Sequence, residues 1–303
     1  MHDGDGDSNV SRRALLRASA GTVALSTVGS ARATGDGRTD DAARRFDQDC
    51  PDATIEPGMT HCEGTSREGC ADDHPATAEL QSAVAESLET QFSDVDALID
   101  AGFKPYFDTL EVGDDSWSHW IHPEFVGDDA TLDPERPESV LVDNETWRAM
   151  GVMFVATRDG EPVEPPAVYG TDAGDGDGDD ADADAEDLCS PWHAHTGLPG
   201  RFAWWYYRQA YERDYEEGDL SFPCQTPCML HVWTLDHPES VYAHDAPPAE
   251  YRDLDPADKP DFETDAVPGE DTLGWEVLPD DVVPERRPGD FSLLDPWGID
   301  LAP

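Results

Sequence analysis

Lysine is almost absent from this sequence. Only Lys104 and Lys259 occur among 303 residues, and 19 basic side chains stand against 68 acidic ones, a formal net charge of −49. Binding to nucleic acid or to an anionic membrane needs clustered basic side chains, so this balance excludes both as partners. Like charges oppose a compact state at low ionic strength, but in about 1 M salt the Debye length is only about 3 Å. The composition therefore predicts a halophilic protein, with a basic partner as the less favoured explanation.

Long hydrophobic runs are also missing. A membrane-spanning helix needs about 20 apolar residues, and the weakly apolar stretch 18–29 is too short. It follows Arg12, Arg13 and two leucines, and it precedes the small residues of Ala31-Arg32-Ala33. This succession resembles a twin-arginine signal peptide over residues 1–33, in which Arg12 and Arg13 are read by the translocase. We predict export by that pathway to an extracellular or cell-surface location, without a membrane span in the mature form.

Aromatic residues exclude a fully disordered chain, since nine Trp, ten Phe and eight Tyr are too many for a disordered polyelectrolyte. They predict one packed domain of α+β class, with a short helical N-terminal part, a β-rich part and an extended acidic C-terminal tail. The predicted boundaries are a signal at 1–33, an acidic cysteine-containing segment at 34–75, a globular domain at 76–246 and a Pro- and acid-rich tail at 247–303. Within the domain, residues 76–110 are predicted helical, 115–246 β-rich, and 170–187 an acidic loop.

Local patterns place the elements of that domain. Leu80, Val84 and Leu88 recur at fourfold spacing, which is typical of a helix. A second short helix is predicted to begin after Ser93 or Asp94 and to end at Gly102. Strands are predicted at 139–142, 150–156, 192–198 and 229–235, with a turn at 143–144 and an aromatic helix at 201–217.

Histidines in the predicted strands point to a metal site. Residues two apart in a strand face the same side, so His193 and His195 can approach one ion. A second segment contains Cys224, Cys228, Met229 and His231, and mixed Cys, Met and His ligands suit copper or zinc. His119 and His122 form a third pair. We predict His193, His195 and His231 as ligands of copper or zinc, with His119 as a fourth; the alternative is that these histidines are structural.

The number of cysteines in a chain predicted to be exported is even, which predicts three disulfides. The six cysteines are Cys50, Cys62, Cys70, Cys189, Cys224 and Cys228. At least one of the first three must pair with one of the last three. Two alternatives stay open: a zinc knuckle from His61, Cys62, Cys70 and His74, and cysteines acting as soft metal ligands.

Other familiar sites are absent or incomplete. The acidic loop matches four positions of a calcium-binding EF-hand loop, but Asp180 stands where glycine is needed and Asp182 where an apolar residue is needed. The sequence contains no nucleophile elbow, phosphate loop or dinucleotide fingerprint. The aromatic run 204–207 can stack on sugars, but packing into the core is the favoured interpretation.

Several short motifs follow one another in a recognisable order. The succession resembles a family of exported bacterial proteins with HW…P, LDP..PE, WH.H and MLHVW motifs, and it spans roughly residues 95–246. The residues that carry it are His119-Trp120 with Pro123, residues 132–138, Gly151-Val152 with Phe154-Val155, His193 and His195 after Trp192, and 229–233 with Pro238. The resemblance implies a shared domain and no particular activity.

These patterns lead to one function and two alternatives. The leading hypothesis is a secreted halophilic protein that binds or senses copper or zinc. The alternatives are a metal-dependent extracellular enzyme, whose open coordination position activates water or oxygen, and a metal-free structural module held by disulfides. The sequence leaves open whether the protein is an enzyme, and it names no catalytic residue.

Overall fold

The structure, a computed structural model, describes residues 50–106, 116–170, 188–213, 221–285 and 287. These residues fall within a unit that spans Phe46–Pro303. The predicted signal peptide with Arg12 and Arg13, most of the acidic loop, and the end of the C-terminal tail lie outside the described residues. Within the described ranges no helix combines the length and apolar character needed to cross a bilayer.

One antiparallel sheet of seven strands is the centre of the fold. In chain order the strands are β1 (Met59–His61), β2 (Lys104–Tyr106), β3 (Trp117–Ile121), β4 (Ser139–Asp143), β5 (Ala149–Val155), β6 (Thr157–Arg158), β7 (Glu161–Pro162), β8 (His193–His195) and β9 (Met229–Trp233). The sheet has the order β1-β8-β9-β5-β4-β3-β2, while β6 and β7 form a separate ribbon. The strand pair predicted around the turn at 143–144 is confirmed as β4 and β5.

In the described residues four α-helices accompany the sheet: α1 (Pro75–Gln91), α2 (Val95–Ala101), α3 (Pro123–Val126) and α4 (Leu198–Tyr207). The Asp94 side chain accepts a hydrogen bond from the Ala97 N–H and so caps α2. Gly102 ends α2 with a φ of 99°, a left-handed conformation that glycine adopts without a steric penalty.

The aromatic helix differs from its predicted bounds of 201–217. It begins earlier, at Leu198, because Pro199 fits the first turn of a helix, and this shortens the strand predicted at 192–198. Its α-helical part ends at Tyr207 and continues as one π-helical turn, Arg208–Glu212.

The two faces of the sheet carry different side chains. Strand partners share a face, and Val140, Val152 and Val232 pack with the helix residues Val84 and Leu98 in one apolar core. The opposite face carries the residues that alternate with them. Its members include His119, Leu141, Met153, His231 and Trp233, and α4 packs on this face through Trp204 and Tyr207.

The sheet curls around the face that carries α4. Strands β3 and β9 are separated by β4 and β5, so a flat sheet would set them about 14 Å apart at roughly 4.8 Å per strand. The ring centroids of His119 and His231 are nevertheless 5.6 Å apart, and those of Trp117 and Trp233 are 5.5 Å apart. This face is therefore concave, and side chains from distant strands meet inside it.

Three disulfides attach the N-terminal cysteine-containing segment to the stretches of chain that precede β8 and β9. They join Cys50 to Cys224, Cys62 to Cys228 and Cys70 to Cys189, and no cysteine is free. The prediction of three disulfides is confirmed. The two alternatives, a zinc knuckle and cysteines acting as metal ligands, are wrong because all six sulfurs are bonded in pairs as disulfides. Strand β1 of the same segment also pairs with β8 at the edge of the sheet.

The described part of the predicted tail, residues 247–285 and 287, runs along the turn between β4 and β5. The N–H groups of Ala257, Gly269 and Leu273 donate to the carbonyl oxygens of residues 146, 145 and 144. The buried side chains of Leu273 and Leu278 belong to the apolar core. This stretch is therefore packed on the domain through both backbone and side chains.

Candidate metal centre

Three histidines converge on the concave face. His193, His195 and His244 each place one ring nitrogen within 4.8 Å of the others. Their ring centroids are 5.0–5.4 Å apart. Two nitrogens bound to one metal at about 2.1 Å are separated by at most about 4.2 Å, so a small adjustment of the rings closes the site. This set, called the triad below, has a geometry compatible with a metal ion.

Strand geometry explains two members of the triad. His193 and His195 lie in β8 with Ala194 between them, and only Ala194 packs in the opposite core. His195 is fixed further by its backbone N–H, which donates to the Thr226 Oγ1 at 2.9 Å. The predicted placement of these two histidines on one side of a strand is confirmed.

The third member, His244, was missed by the sequence analysis. It lies after β9 in an irregular segment, where neither a period of two nor a period of 3.6 applies. Trp233 holds this segment in place, because its backbone N–H donates to the Val241 carbonyl and its indole N–H donates to the Ala243 carbonyl. The one local signal was Asp245, whose carboxylate accepts a hydrogen bond from the His244 Nδ1 at 2.8 Å. Carboxylates commonly orient metal-binding imidazoles in this way.

Helix α4 contacts the triad through a glycine. A methyl group added at Gly200 would lie 2.6 Å from the Cγ and 2.8 Å from the Nδ1 of His195. Only a residue without a Cβ allows the first turn of α4 to pack this closely against the ring. The helix therefore restricts the orientation of His195.

His231 and His119 lie beside the triad and not within it. The His231 ring is 5.6 Å from the rings of His193 and His244, and the His119 ring is 5.6 Å from that of His231. The Nδ1 of His231 donates to the His244 carbonyl at 2.7 Å. Among the described residues, the three histidines whose nitrogens converge are those of the triad. In the predicted set, His244 thus takes the place given to His231.

Burial keeps four of the clustered imidazoles neutral. Loss of solvation lowers the pKa of His119 to about 3 and that of His195 to about 4. The same cause, followed by repulsion from neighbouring histidines, lowers the pKa of His193 and of His231 well below the usual value. Neutral imidazole is the form that binds metal ions, so these rings need no deprotonation at neutral pH.

A small cavity adjoins the triad. Its volume is about 30 Å³, enough for a metal ion or a small number of water molecules. The lining residues are Tyr106, Trp117, His119, Met153, His195, Pro199, Gly200, Ala203, Thr226, Met229, His231 and His244. Among the described residues no carboxylate belongs to this lining, although the chain has 68 acidic side chains. The cavity is thus a neutral environment of imidazole, thioether and aromatic groups.

Two other predicted features lie elsewhere. His122 stacks on Phe125 with ring centroids 3.8 Å apart, and its Nε2 is 2.9 Å from the Ala101 carbonyl oxygen, so it belongs to the packing near α2. The aromatic run of α4 is buried, with Trp204 and Trp205 about 5% exposed or less, so the packing interpretation of residues 204–207 is confirmed.

Comparison with known proteins assigns no family. No protein-family model, curated protein or solved structure shows significant similarity to this chain. The resemblance to exported proteins with the WH.H and MLHVW motifs stays a prediction.

Proposed function

We propose that this chain is an exported, halophilic metal-binding protein that holds copper or zinc at His193, His195 and His244. The observation that carries the proposal is the convergence of three imidazoles, with one nitrogen from each within 4.8 Å. Burial keeps His193 and His195 neutral, and Asp245 orients His244. Imidazole nitrogen suits both metals, so the ligand set alone supports either.

Export is supported by the disulfides and by the sequence signal. Three disulfides are typical of proteins that mature in an oxidising compartment, and the arginine pair of the predicted signal fits the twin-arginine translocase. The halophilic part of the proposal depends on the charge of −49.

A metal-dependent enzyme is the second candidate, and the cavity is the observation that favours it. The cavity lies against His195 and His244 and has room for a water molecule as a fourth ligand. Catalytic zinc sites commonly combine three protein ligands with such a water. A spectrum of the copper form that changes when azide is added would indicate an exchangeable position and support this candidate over simple binding.

The experiment is a metal titration of the mature chain after treatment with a chelator. We expect at least one equivalent of Cu(II) or Zn(II) per chain and a rise in melting temperature on binding, because a ligand of the native state stabilises it. His195→Ala should abolish binding of the metal equivalent at the triad, and the rise in melting temperature caused by that equivalent should be lost.

His74→Asn is the matched control. His74 stacks on Tyr169 and caps α1, outside the cluster, and asparagine is also an effective helix cap. This variant should bind as much metal as the wild type. Wild-type protein without stoichiometric metal, or equal loss in both variants, would contradict the proposal and favour the metal-free structural module.

A further inference from the structure

We propose that the cavity beside the triad is a second metal site, in which His119, His231 and the thioether of Met153 bind monovalent copper. The triad consists of histidines alone, whereas this inner site adds a sulfur ligand. The inference rests on the proposed metal-binding function and extends it to a second ion of a different kind.

His231 provides the first argument. Its side chain is 2% exposed, and its Nε2 is buried without a hydrogen-bond partner. Its Nδ1 donates to the His244 carbonyl, so that nitrogen carries the proton and Nε2 carries the lone pair. A buried lone pair without a donor is unfavourable in a folded protein, and a bound cation removes that cost.

The sheet brings the proposed ligands together. Met153 on β5 and His231 on β9 are direct cross-strand partners, so their side chains start side by side on the concave face. The curl of the sheet adds His119 from β3, with its ring centroid 5.6 Å from that of His231. Two imidazoles bound through Nε2 to one ion at about 2.1 Å have centroids roughly 5–6 Å apart. The observed separation is compatible with a shared ion. The His231 ring lies equally far from His193 and His244, so its buried Nε2 and its neighbour Met153, and not this distance, assign it to the inner site.

The chemistry of the lining selects the metal. Hard cations such as calcium and magnesium need oxygen ligands, and no carboxylate is among the described residues that line the cavity. Thiolates are excluded because every cysteine is in a disulfide. Apart from the hydroxyls of Tyr106 and Thr226, the described lining offers neutral nitrogen and thioether ligands, from His119, His231 and Met153, with Met229 also present. Thioether sulfur favours monovalent copper over zinc.

The test counts Cu(I) equivalents per mature chain by competition with bicinchoninate, with ascorbate as the reductant and sulfate as the supporting salt. We expect two equivalents in the wild type and one in Met153→Leu, which keeps the apolar volume but removes the sulfur. X-ray absorption should detect copper–sulfur scattering in the wild type and lose it in that variant.

Two further variants make the assignment specific. Met150→Leu is the same substitution on the same strand, at a buried methionine outside the cavity lining, and it should keep both equivalents. His193→Gln removes a triad ligand that does not line the cavity, and it should keep the copper–sulfur signal while it loses the triad equivalent.

The outcomes separate this inference from the proposed function. A wild type with one equivalent, lost in His193→Gln and retained in Met153→Leu, overturns the inner site and leaves the triad standing. One equivalent that is retained in His193→Gln and lost in Met153→Leu overturns the triad and supports the inner site. No bound copper overturns the inner site, and the Zn(II) titration then decides the triad separately.

Discussion

The two faces of the sheet have different roles: one packs in the apolar core, and the other carries the candidate metal ligands. On β9, Leu230 and Val232 point into the apolar core with α1 and α2, while Met229, His231 and Trp233 point into the concave side with α4. Both faces are buried, so exposure does not distinguish them. The side-chain period of two distinguishes the faces, because alternate residues of one strand point into the apolar core and toward the candidate metal site. Substitutions at adjacent positions should therefore have separate effects on stability and on metal binding.

The largest effect is expected from Leu230→Ala on the apolar face. Leu230 is fully buried, and replacement of a buried leucine by alanine destabilises a protein by about 2–5 kcal/mol. The adjacent Met229→Leu conserves volume and should cost less than about 1.5 kcal/mol. Urea unfolding of chelator-treated protein measures both. If the Leu230→Ala variant is folded but binds less metal than the wild type does, the two faces do not act separately on stability and metal binding.

A pH-dependent effect is expected from Glu138→Gln. Burial raises the pKa of Glu138 to about 8 from an unfolded value near 4.5, while its Oε2 accepts the Val155 N–H. Glu138 therefore lowers the free energy of unfolding by an amount that is absent below pH 4.5, grows between pH 4.5 and pH 8, and stays constant above pH 8. Glutamine does not ionise, so this variant should be more stable than the wild type by at most about 5 kcal/mol at pH 9 and similar to it at pH 4.5.

Unfolding free energies at several pH values test this expectation. Glu135→Gln, at an exposed carboxylate nearby, should change stability by less than about 0.5 kcal/mol. A gain from Glu138→Gln that is equal at pH 4.5 and pH 9 would show that ionisation is not its cause. This buried carboxylate contrasts with the cavity on the concave face, whose described lining residues include no carboxylate.

The smallest effect is expected from Gly200→Ala, which acts on the concave face alone. The added methyl group would lie 2.5 Å from the Cβ of His195 and must displace the ring or the first turn of α4. We expect a roughly tenfold weaker metal affinity, about 1.4 kcal/mol, as for other losses of ligand orientation. At Gly274 an added methyl meets only the flexible end of Glu276, so Gly274→Ala is the control. Equal affinities in both variants would show that α4 does not orient His195.

The sequence was most informative where a periodic pattern governs the backbone. The spacing of Leu80, Val84 and Leu88 predicted α1, and the alternation around Ala194 predicted that His193 and His195 share a side. These are local consequences of helix and strand geometry.

Two features of the candidate site depend on contacts between distant residues. His244 lies in a segment fixed by hydrogen bonds to Trp233, and the adjacent Asp245 is the one local signal of its role. The approach of His119 to His231 depends on the curl of the sheet, which no single strand encodes. The disulfide partners are likewise 119–174 residues apart, beyond the range of spacing rules.

The disulfide pattern has a consequence for cleavage of the chain by a protease. Every bond joins one of the first three cysteines to one of the last three, so all of them bridge the stretch between Cys70 and Cys189. A protease cut anywhere in that stretch yields two peptides that stay covalently joined at three points. The nicked protein keeps the mass of the intact chain plus one water, and it separates into two fragments only after reduction.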